Sequence, residues 1–201
     1  MTDYDSEYFF ITMPDDPKLP FLVPDKNTEG RRFRFEAQPP GSAPLVFNNG
    51  YKDENKRAGI VTATPDVLFS GASLLVRTAI RDKLMVLDIP NLSMHPSIYI
   101  DDKDRWNEDY WFLTFTAEFD CWDREKSDAD DEPMKVGSSE LVQVYSYRLN
   151  TDLLNKTPLP ERLLFKMGGD LDGNICCHKS LRGMFSAGGA SGARLQCFSD
   201  Q

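Results

Sequence analysis

The segment EDYWFLTFTAEFDCWDRE, residues 108–125, constrains the fold most, because its apolar side chains recur at every second position. Successive side chains of a β-strand point to opposite faces, so residues two apart share one face. The face from Tyr110 to Trp122 is half apolar and half polar. The other face is apolar throughout and consists of Trp111, Leu113, Phe115, Ala117, Phe119 and Cys121. This pattern predicts a long central strand of an antiparallel sheet, with the second set of side chains in the core.

Shorter runs with strand composition occur on both sides of this segment. They predict strands at 8–14, 31–37, 45–50, 97–101, 141–149, 163–167, 174–177 and 194–198. In 31–37, Arg alternates with Phe, which predicts a half-buried strand with a basic outer face. Residues 52–59 are charged and predict a surface loop. Residues 123–140 are acidic and predict a long mobile loop that joins the central strand to its partner at 141–149.

Two further segments have the periodicity of helices. In residues 65–85 one apolar face is formed by Ala72, Leu75, Val76, Ala79 and Ile80. A second helix is predicted after residue 178, with Leu181, Met184 and Phe185 facing inward, followed by a glycine-rich turn in 188–193. Together the elements predict an α+β fold, mainly antiparallel sheet with at least two packed helices. Residues 1–201 are interpreted as one domain, in which residues 1–60 fit less well and leave a strand-rich N-terminal subdomain open.

Charge and composition limit the classes of partner. The 201 residues have a formal net charge of -9. An acidic surface repels nucleic acid and anionic lipid, so neither is expected as a partner. It favours either simple solubility or a basic protein partner. The first residues lack the positive region of a secretory signal, and no apolar run has the length needed to cross a bilayer. These features predict a cytoplasmic protein.

Side chains for metal or covalent chemistry are few. The chain has four cysteines, none in a C-x-x-C pair, and two histidines, His95 and His178. A structural zinc site needs about four such ligands at workable spacing, so neither a metal nor a cofactor is expected. The GGASGA segment lacks the last glycine of a G-x-S-x-G nucleophile turn and has Ala193 in its place. The sequence therefore predicts no catalytic residues.

The densest polar cluster outside residues 123–140 lies in YIDDKDRWNEDYW, residues 99–111. Its candidate partner-binding residues, taken together with a nearby tryptophan, are Asp101, Asp102, Asp104, Trp106, Glu108, Asp109 and Trp122. Three interpretations compete: a solvated acidic loop, a docking surface for a basic partner, and a calcium or magnesium site. The spacing is not that of an EF-hand loop, which disfavours a metal. Tryptophan in a polar setting is typical of interface hot spots and favours docking.

Three groups of segments give the chain a family resemblance. They are SGASLLV, then IDDKDRWNEDYWFLTFTAEFDCWDR, and finally RLLFKMGG, HKSLRGMF and SGARL. In these the chain resembles the bacterial polymorphic-toxin immunity proteins of the type called immunity protein family 43. The resemblance runs from about residue 65 to the C-terminus, and the tryptophan-rich stretch is its most specific part. The chain is also similar to a related, broader group that has a strand, then an S-x-x-L helix and a Gly-x-x-F ending. Leu195 stands where that group tends to have an aromatic residue.

The resemblance implies a binding protein without catalytic activity. Such immunity proteins are encoded beside a secreted toxin used in interbacterial competition, and they neutralise it by binding. For this chain the expected mechanism is occlusion of a toxin surface or active site. The family supplies no binding residues at the level of motifs, so the candidates above come from their chemistry alone. Two alternatives stay open from the residues: a small hydrolase that uses the acidic cluster, and a ligand-binding regulatory module. The sequence leaves the oligomeric state and the identity of the toxin undetermined.

Overall fold

The computed structural model describes residues 3–137, 139–186 and 191–200. Its strands are β1 (Tyr8–Thr12), β2 (Leu22–Pro24), β3 (Leu45–Asn49), β4 (Val67–Ser70), β5 (Ser73–Arg77), β6 (Leu92–Ile100), β7 (Trp106–Phe115), β8 (Asp128–Ala129), β9 (Met134–Val136), β10 (Ser139–Leu141), β11 (Val144–Ser146), β12 (Leu164–Lys166), β13 (Ile175–His178) and β14 (Arg194–Cys197). Its α-helices are α1 (Lys26–Glu29), α2 (Lys52–Ala58), α3 (Thr78–Met85), α4 (Thr151–Lys156) and α5 (Arg182–Phe185). Short 3₁₀ helices occupy Tyr4–Ser6, Leu159–Arg162, Lys179–Leu181 and Phe198–Asp200.

Two larger sheets organise the chain. The first has six strands in the order β2-β3-β6-β7-β5-β4, and every pair is antiparallel except β3 with β6. A backbone bridge between Phe21, next to β2, and Phe69 of β4 joins its two edges, so the sheet curls around its own apolar face. The second sheet is antiparallel, in the order β12-β13-β1-β14. The predicted α+β class with mainly antiparallel sheet is confirmed.

Three groups of buried side chains hold these sheets. The inter-sheet core includes Phe9 and Ile11 of β1, Leu113 and Phe115 of β7, and Ile80 and Leu84 of α3. The curled-sheet core, inside the six-stranded sheet, consists of Leu22, Phe33, Leu45, Phe47, Leu68, Leu75, Tyr99, Tyr110 and Phe112. The outer core lies on the other side of β1 and includes Tyr8, Phe10, Trp122, Tyr147 and Phe198. Both sheets contribute to the inter-sheet core, while the one-domain interpretation of residues 1–201 stays a prediction.

The helix predicted over 65–85 is wrong for its first half. Residues Val67–Ser70 and Ser73–Arg77 form the β4–β5 hairpin, and only Thr78–Met85 is helical. Both strands are buried on both faces, so their apolar residues run continuously and imitate one face of a helix. Gly71 makes the tight turn between them with φ 63°, in the left-handed region that glycine enters without steric cost.

Other predicted elements also differ from the structure. Residues 31–37 form turns rather than a strand: Phe33 enters the curled-sheet core while Phe35 is exposed. Residues 52–59 contain α2, which ends at Gly59, and residues 123–140 contain β8, β9 and part of β10 instead of a structureless loop. Residues 188–190 of the predicted glycine-rich turn lie outside the described residues.

The central strand is confirmed as β7, but it ends at Phe115. Residues Thr116–Glu118 are exposed, and the chain then crosses to the second sheet, where Phe119 forms a backbone bridge with Met167. The partner of β7 is not residues 141–149, because β11 pairs with β8. Both faces of β7 are buried: Leu113 and Phe115 enter the inter-sheet core, while Tyr110 and Phe112 enter the curled-sheet core.

Candidate functional site

Asp101 organises the loop that connects β6 to β7. One of its carboxylate oxygens accepts hydrogen bonds from the backbone N–H groups of Lys103 (2.9 Å) and Arg105 (3.0 Å), and the other accepts from Arg105 Nε (2.8 Å). Burial raises the pKa of Asp101, but these donors outweigh burial and hold the pKa below its ordinary value. Asp101 therefore fixes the loop as a buried carboxylate.

Replacing Asp101 with asparagine should lower the free energy of unfolding by about 2–4 kcal/mol at pH 7, because hydrogen bonds to a charged acceptor contribute about 1.5–3 kcal/mol each. The folded pKa lies below the ordinary 3.8, so the contribution is full above the unfolded pKa and is lost as pH falls through the folded pKa. Urea unfolding at pH 7, 4.5 and 3 should show a steeper acid loss for the wild type than for Asp101→Asn.

The matched control is Asp104→Asn. Asp104 has φ 58°, which asparagine tolerates, and its ion pair with Lys52 is exposed. Exposed ion pairs contribute about 0–1 kcal/mol, so the control should change little. Equal losses for both variants would contradict the role assigned to Asp101.

Asp102 and Asp104 connect the loop to distant parts of the chain. Asp102 accepts hydrogen bonds from Asn49 Nδ2 (3.0 Å) and Thr62 Oγ1 (2.7 Å), which tie the loop to β3 and to the segment after α2. Asp104 lies 2.6 Å from Lys52 Nζ. These residues line a groove of about 320 Å³ that also contains basic side chains. The loop is thus held in place by contacts far apart in sequence.

The first residues of β7 precede its buried part, and they include Trp106, Glu108 and Asp109. Trp106 is 61% exposed, and Glu108 is exposed at the next position on the same face. Asp109 lies on the other face and forms an ion pair with Arg77, which also contacts Asp66. Trp106 is therefore a large apolar ring presented to solvent by a hydrogen-bonded strand.

Trp122 does not join this face. It is only 4% exposed, it lies in the outer core, and its indole N–H donates to the Gly168 carbonyl at 3.2 Å. The Arg124 guanidinium lies 3.5 Å from the ring centroid and covers it. The structure therefore separates Trp122 from the other six candidate residues. Of these six, Asp101 is buried and Asp109 lies on the face of β7 opposite to Trp106.

The carboxylates of residues 101–109 lie closer to basic side chains than the sequence indicates. Asp101, Asp104 and Asp109 each form an ion pair with a basic side chain. Among the described residues, Glu108 has no ion pair. Lys52 and Arg77 come from α2 and β5, so their proximity depends on the fold. Residues 101–109 combine one exposed tryptophan with paired and unpaired carboxylates.

Glu7, His178 and Ser180 form an arrangement that the sequence did not predict. His178 Nδ1 lies 2.9 Å from Ser180 Oγ, and Nε2 lies 3.8 Å from the Glu7 carboxylate. This order of hydroxyl, imidazole and carboxylate is similar to a catalytic triad. However, Nδ1 also accepts from the Ser180 backbone N–H and caps the 3₁₀ helix that follows, while Glu7 also binds Lys179. Burial lowers the pKa of His178 and favours the neutral ring that such a cap needs.

Asp170 is a second buried carboxyl group, and its pKa is shifted in the direction opposite to that of Asp101. Burial raises its pKa, and it accepts hydrogen bonds from Tyr147 Oη (2.5 Å) and the Gly173 N–H (3.0 Å). It closes the turn before β13 and is remote in sequence from residues 101–109. Within the described ranges, no three His, Cys, Asp or Glu side chains are grouped closely enough to hold a metal ion.

No protein-family model matches the chain, and no curated protein matches it. Among residues 3–137, 139–186 and 191–200, no helix combines the length and the apolar character that crossing a membrane requires.

Proposed function

We propose that this protein is an immunity protein, which binds a cognate secreted bacterial toxin in the cytoplasm and neutralises it by occlusion. The observation that carries the proposal is Trp106, a tryptophan 61% exposed that lies near Glu108 in the exposed first part of β7, whose second half is buried. Exposing such a ring costs solubility, whereas tryptophans of this kind anchor many protein interfaces. The resemblance of residues 100–124 to immunity proteins also favours a role in protein binding for the segment that contains Trp106.

The supporting geometry is a docking face, formed by Trp106 and Glu108, that directly follows a loop held rigid before binding. Asp101 and Asp102 fix the loop through the hydrogen bonds described above, so little ordering is needed when a partner binds. Glu108 and the overall charge of -9 suit a basic partner surface and would speed its association. Protection against a toxin requires tight binding, and nanomolar affinity corresponds to about 12 kcal/mol.

The hydrolase alternative receives less support from the same residues. A general acid acting near neutral pH needs a carboxyl group with a raised pKa. The pKa of Asp101 is lowered instead, and Asp104 and Asp109 are held in ion pairs. A ligand-binding module would use the groove of about 320 Å³ next to the loop, whose lining is mainly charged. Neither alternative gives Trp106 a role.

The direct test uses the product of the reading frame adjacent to the gene. We expect the wild-type protein to bind that product with nanomolar affinity in titration calorimetry. We also expect co-expression to restore growth to cells that produce the toxin domain. Failure of the folded wild-type protein both to bind and to protect would reject the immunity proposal. Toxin inactivation that proceeds with catalytic turnover would instead favour an enzyme.

A further inference from the structure

A groove of about 800 Å³ lies between the six-stranded sheet and the β9–β10 hairpin. None of residues 101–109 contributes to its lining. One wall contains Arg34 and Phe35 together with the end of β7, and the other contains Val136 and Leu141 of the hairpin. The lining also includes Lys166, which pairs with Glu118, and the carboxyl groups of Asp170, which is buried, and Asp172, which is exposed. The groove is thus separate from the docking face assigned to Trp106.

The hairpin presents an apolar face to this groove. Met134 lies opposite Leu141, and Val136 lies opposite Ser139, so these side chains share one face. Val136 is 47% exposed although it lines the groove. Each strand of the hairpin pairs only with the other within the described ranges, which leaves an open backbone edge. A two-stranded hairpin is marginally stable alone, so an added strand would stabilise it.

The opposite wall carries the exposed ring of Phe35 and the guanidinium of Arg34, which is not in an ion pair with a carboxylate of the described residues. Phe35 is 62% exposed. Arg34 donates to the Ser70 carbonyl (2.6 Å) and to Ser70 Oγ (2.9 Å), and burial lowers its pKa. In the part of the chain that the structure describes, Arg34 forms no ion pair. A half-buried guanidinium without a counter-charge gains most from an incoming carboxylate.

We propose that this groove is a second docking site for the toxin. It takes an extended segment whose apolar side chains lie between Phe35 and Val136 and whose carboxylate pairs with Arg34. The inference rests on the proposed function, since it names a further part of the same partner. It assigns the partner two chemistries: a basic surface against Trp106 and Glu108, and an acidic extended segment in the groove.

The first test uses peptides, so it does not depend on the toxin. The probes are two capped pentapeptides, Val-Glu-Val-Thr-Val and Val-Lys-Val-Thr-Val, titrated into the ¹⁵N-labelled protein. We expect the glutamate peptide to shift the amide signals of residues 34–36 and 134–137, and to bind at least fivefold more tightly than the lysine peptide. Phe35→Ser should weaken this binding at least tenfold. Absence of shifts there, or equal binding of both peptides, would overturn the proposal.

The second test uses the adjacent gene product. Phe35→Ser should weaken its binding at least tenfold, whereas the control Val86→Ser, at a side chain 82% exposed directly after α3, should not change it. Normal binding by Phe35→Ser together with weakened binding by Trp106→Ala would overturn the groove and keep the immunity proposal. If the wild type binds the glutamate peptide but not the gene product, the immunity proposal fails while the groove is retained as a peptide site.

Discussion

Replacing Phe112 with alanine should lower the free energy of unfolding by about 3–5 kcal/mol, the cost of removing a core phenylalanine. The ring is fully buried in the curled-sheet core. It stacks on Phe47 at a centroid distance of 5.8 Å and meets Phe33 edge-on at 5.0 Å. For a chain of this length the melting temperature should fall by about 6–20 °C.

The matched control for this prediction is Phe35→Ala. Phe35 is the same residue type in the same part of the molecule, but its ring is mostly exposed. Substitutions at such positions usually change stability by less than about 0.5 kcal/mol. Phe115→Ala should resemble Phe112→Ala, while Phe119→Ala should cost less, because Phe119 is only partly buried against the outer core. Equal melting temperatures for Phe112→Ala and the wild type would contradict the packing of β7.

Trp106→Ala should weaken toxin binding by at least about 2 kcal/mol, the scale of an interface hot spot. Its effect on stability should be small, because the ring is exposed. Binding and thermal unfolding are therefore measured on the same preparations. The control is Tyr145→Ala, which removes another exposed ring, one that lies outside the docking face. Unchanged affinity for Trp106→Ala, with normal unfolding, would move the interface elsewhere.

Charge reversal at Glu108 tests the electrostatic part of the same prediction. Glu108→Lys should slow association and reduce its dependence on salt, because the steering field acts on the encounter rate. Glu108 suits this test better than Asp102, whose carboxylate holds Asn49 and Thr62 and cannot be reversed without disturbing the loop. An association rate equal to that of the wild type would argue against a basic partner surface.

Sequence patterns predicted the elements in which the apolar side chains follow the spacing of a single type of secondary structure. β1, β3, β12, β13 and β14 lie close to the predicted strands, and β7 was predicted from its apolar alternation. The hairpin β4–β5 was missed because strands buried on both faces lose the alternation that identifies a strand. The Arg-Phe alternation of residues 31–35 imitated a strand, although only Phe33 is buried there. In both the β4–β5 hairpin and residues 31–35, contacts with distant parts of the chain determine the structure.

The sequence indicated that residues 101–109 form one polar cluster, but it did not indicate the electrostatic character of that cluster. Residues 101–109 lie on the β6–β7 connection and at the start of β7, and Trp106 is exposed, while their part in binding stays a prediction. Its counter-charges, Lys52 and Arg77, are distant in sequence, so no local pattern indicated that the acids are paired. The burial of Trp122 likewise depends on the outer core, to which β1 and the 3₁₀ helix Phe198–Asp200 also contribute.

The position of β1 in the four-stranded sheet also has a consequence for biosynthesis. β1 lies between β13 and β14, and it ends at Thr12 whereas these partners begin at Ile175 and Arg194, so the ribosome makes β1 long before either partner. At 5–20 residues per second, β1 waits about 8–30 s for β13 to be translated. During that interval Phe9, Phe10 and Ile11 have no sheet partner. The nascent chain therefore carries an apolar strand without its sheet partners until β13 and β14 have been translated, and the four-stranded sheet can form only after that point.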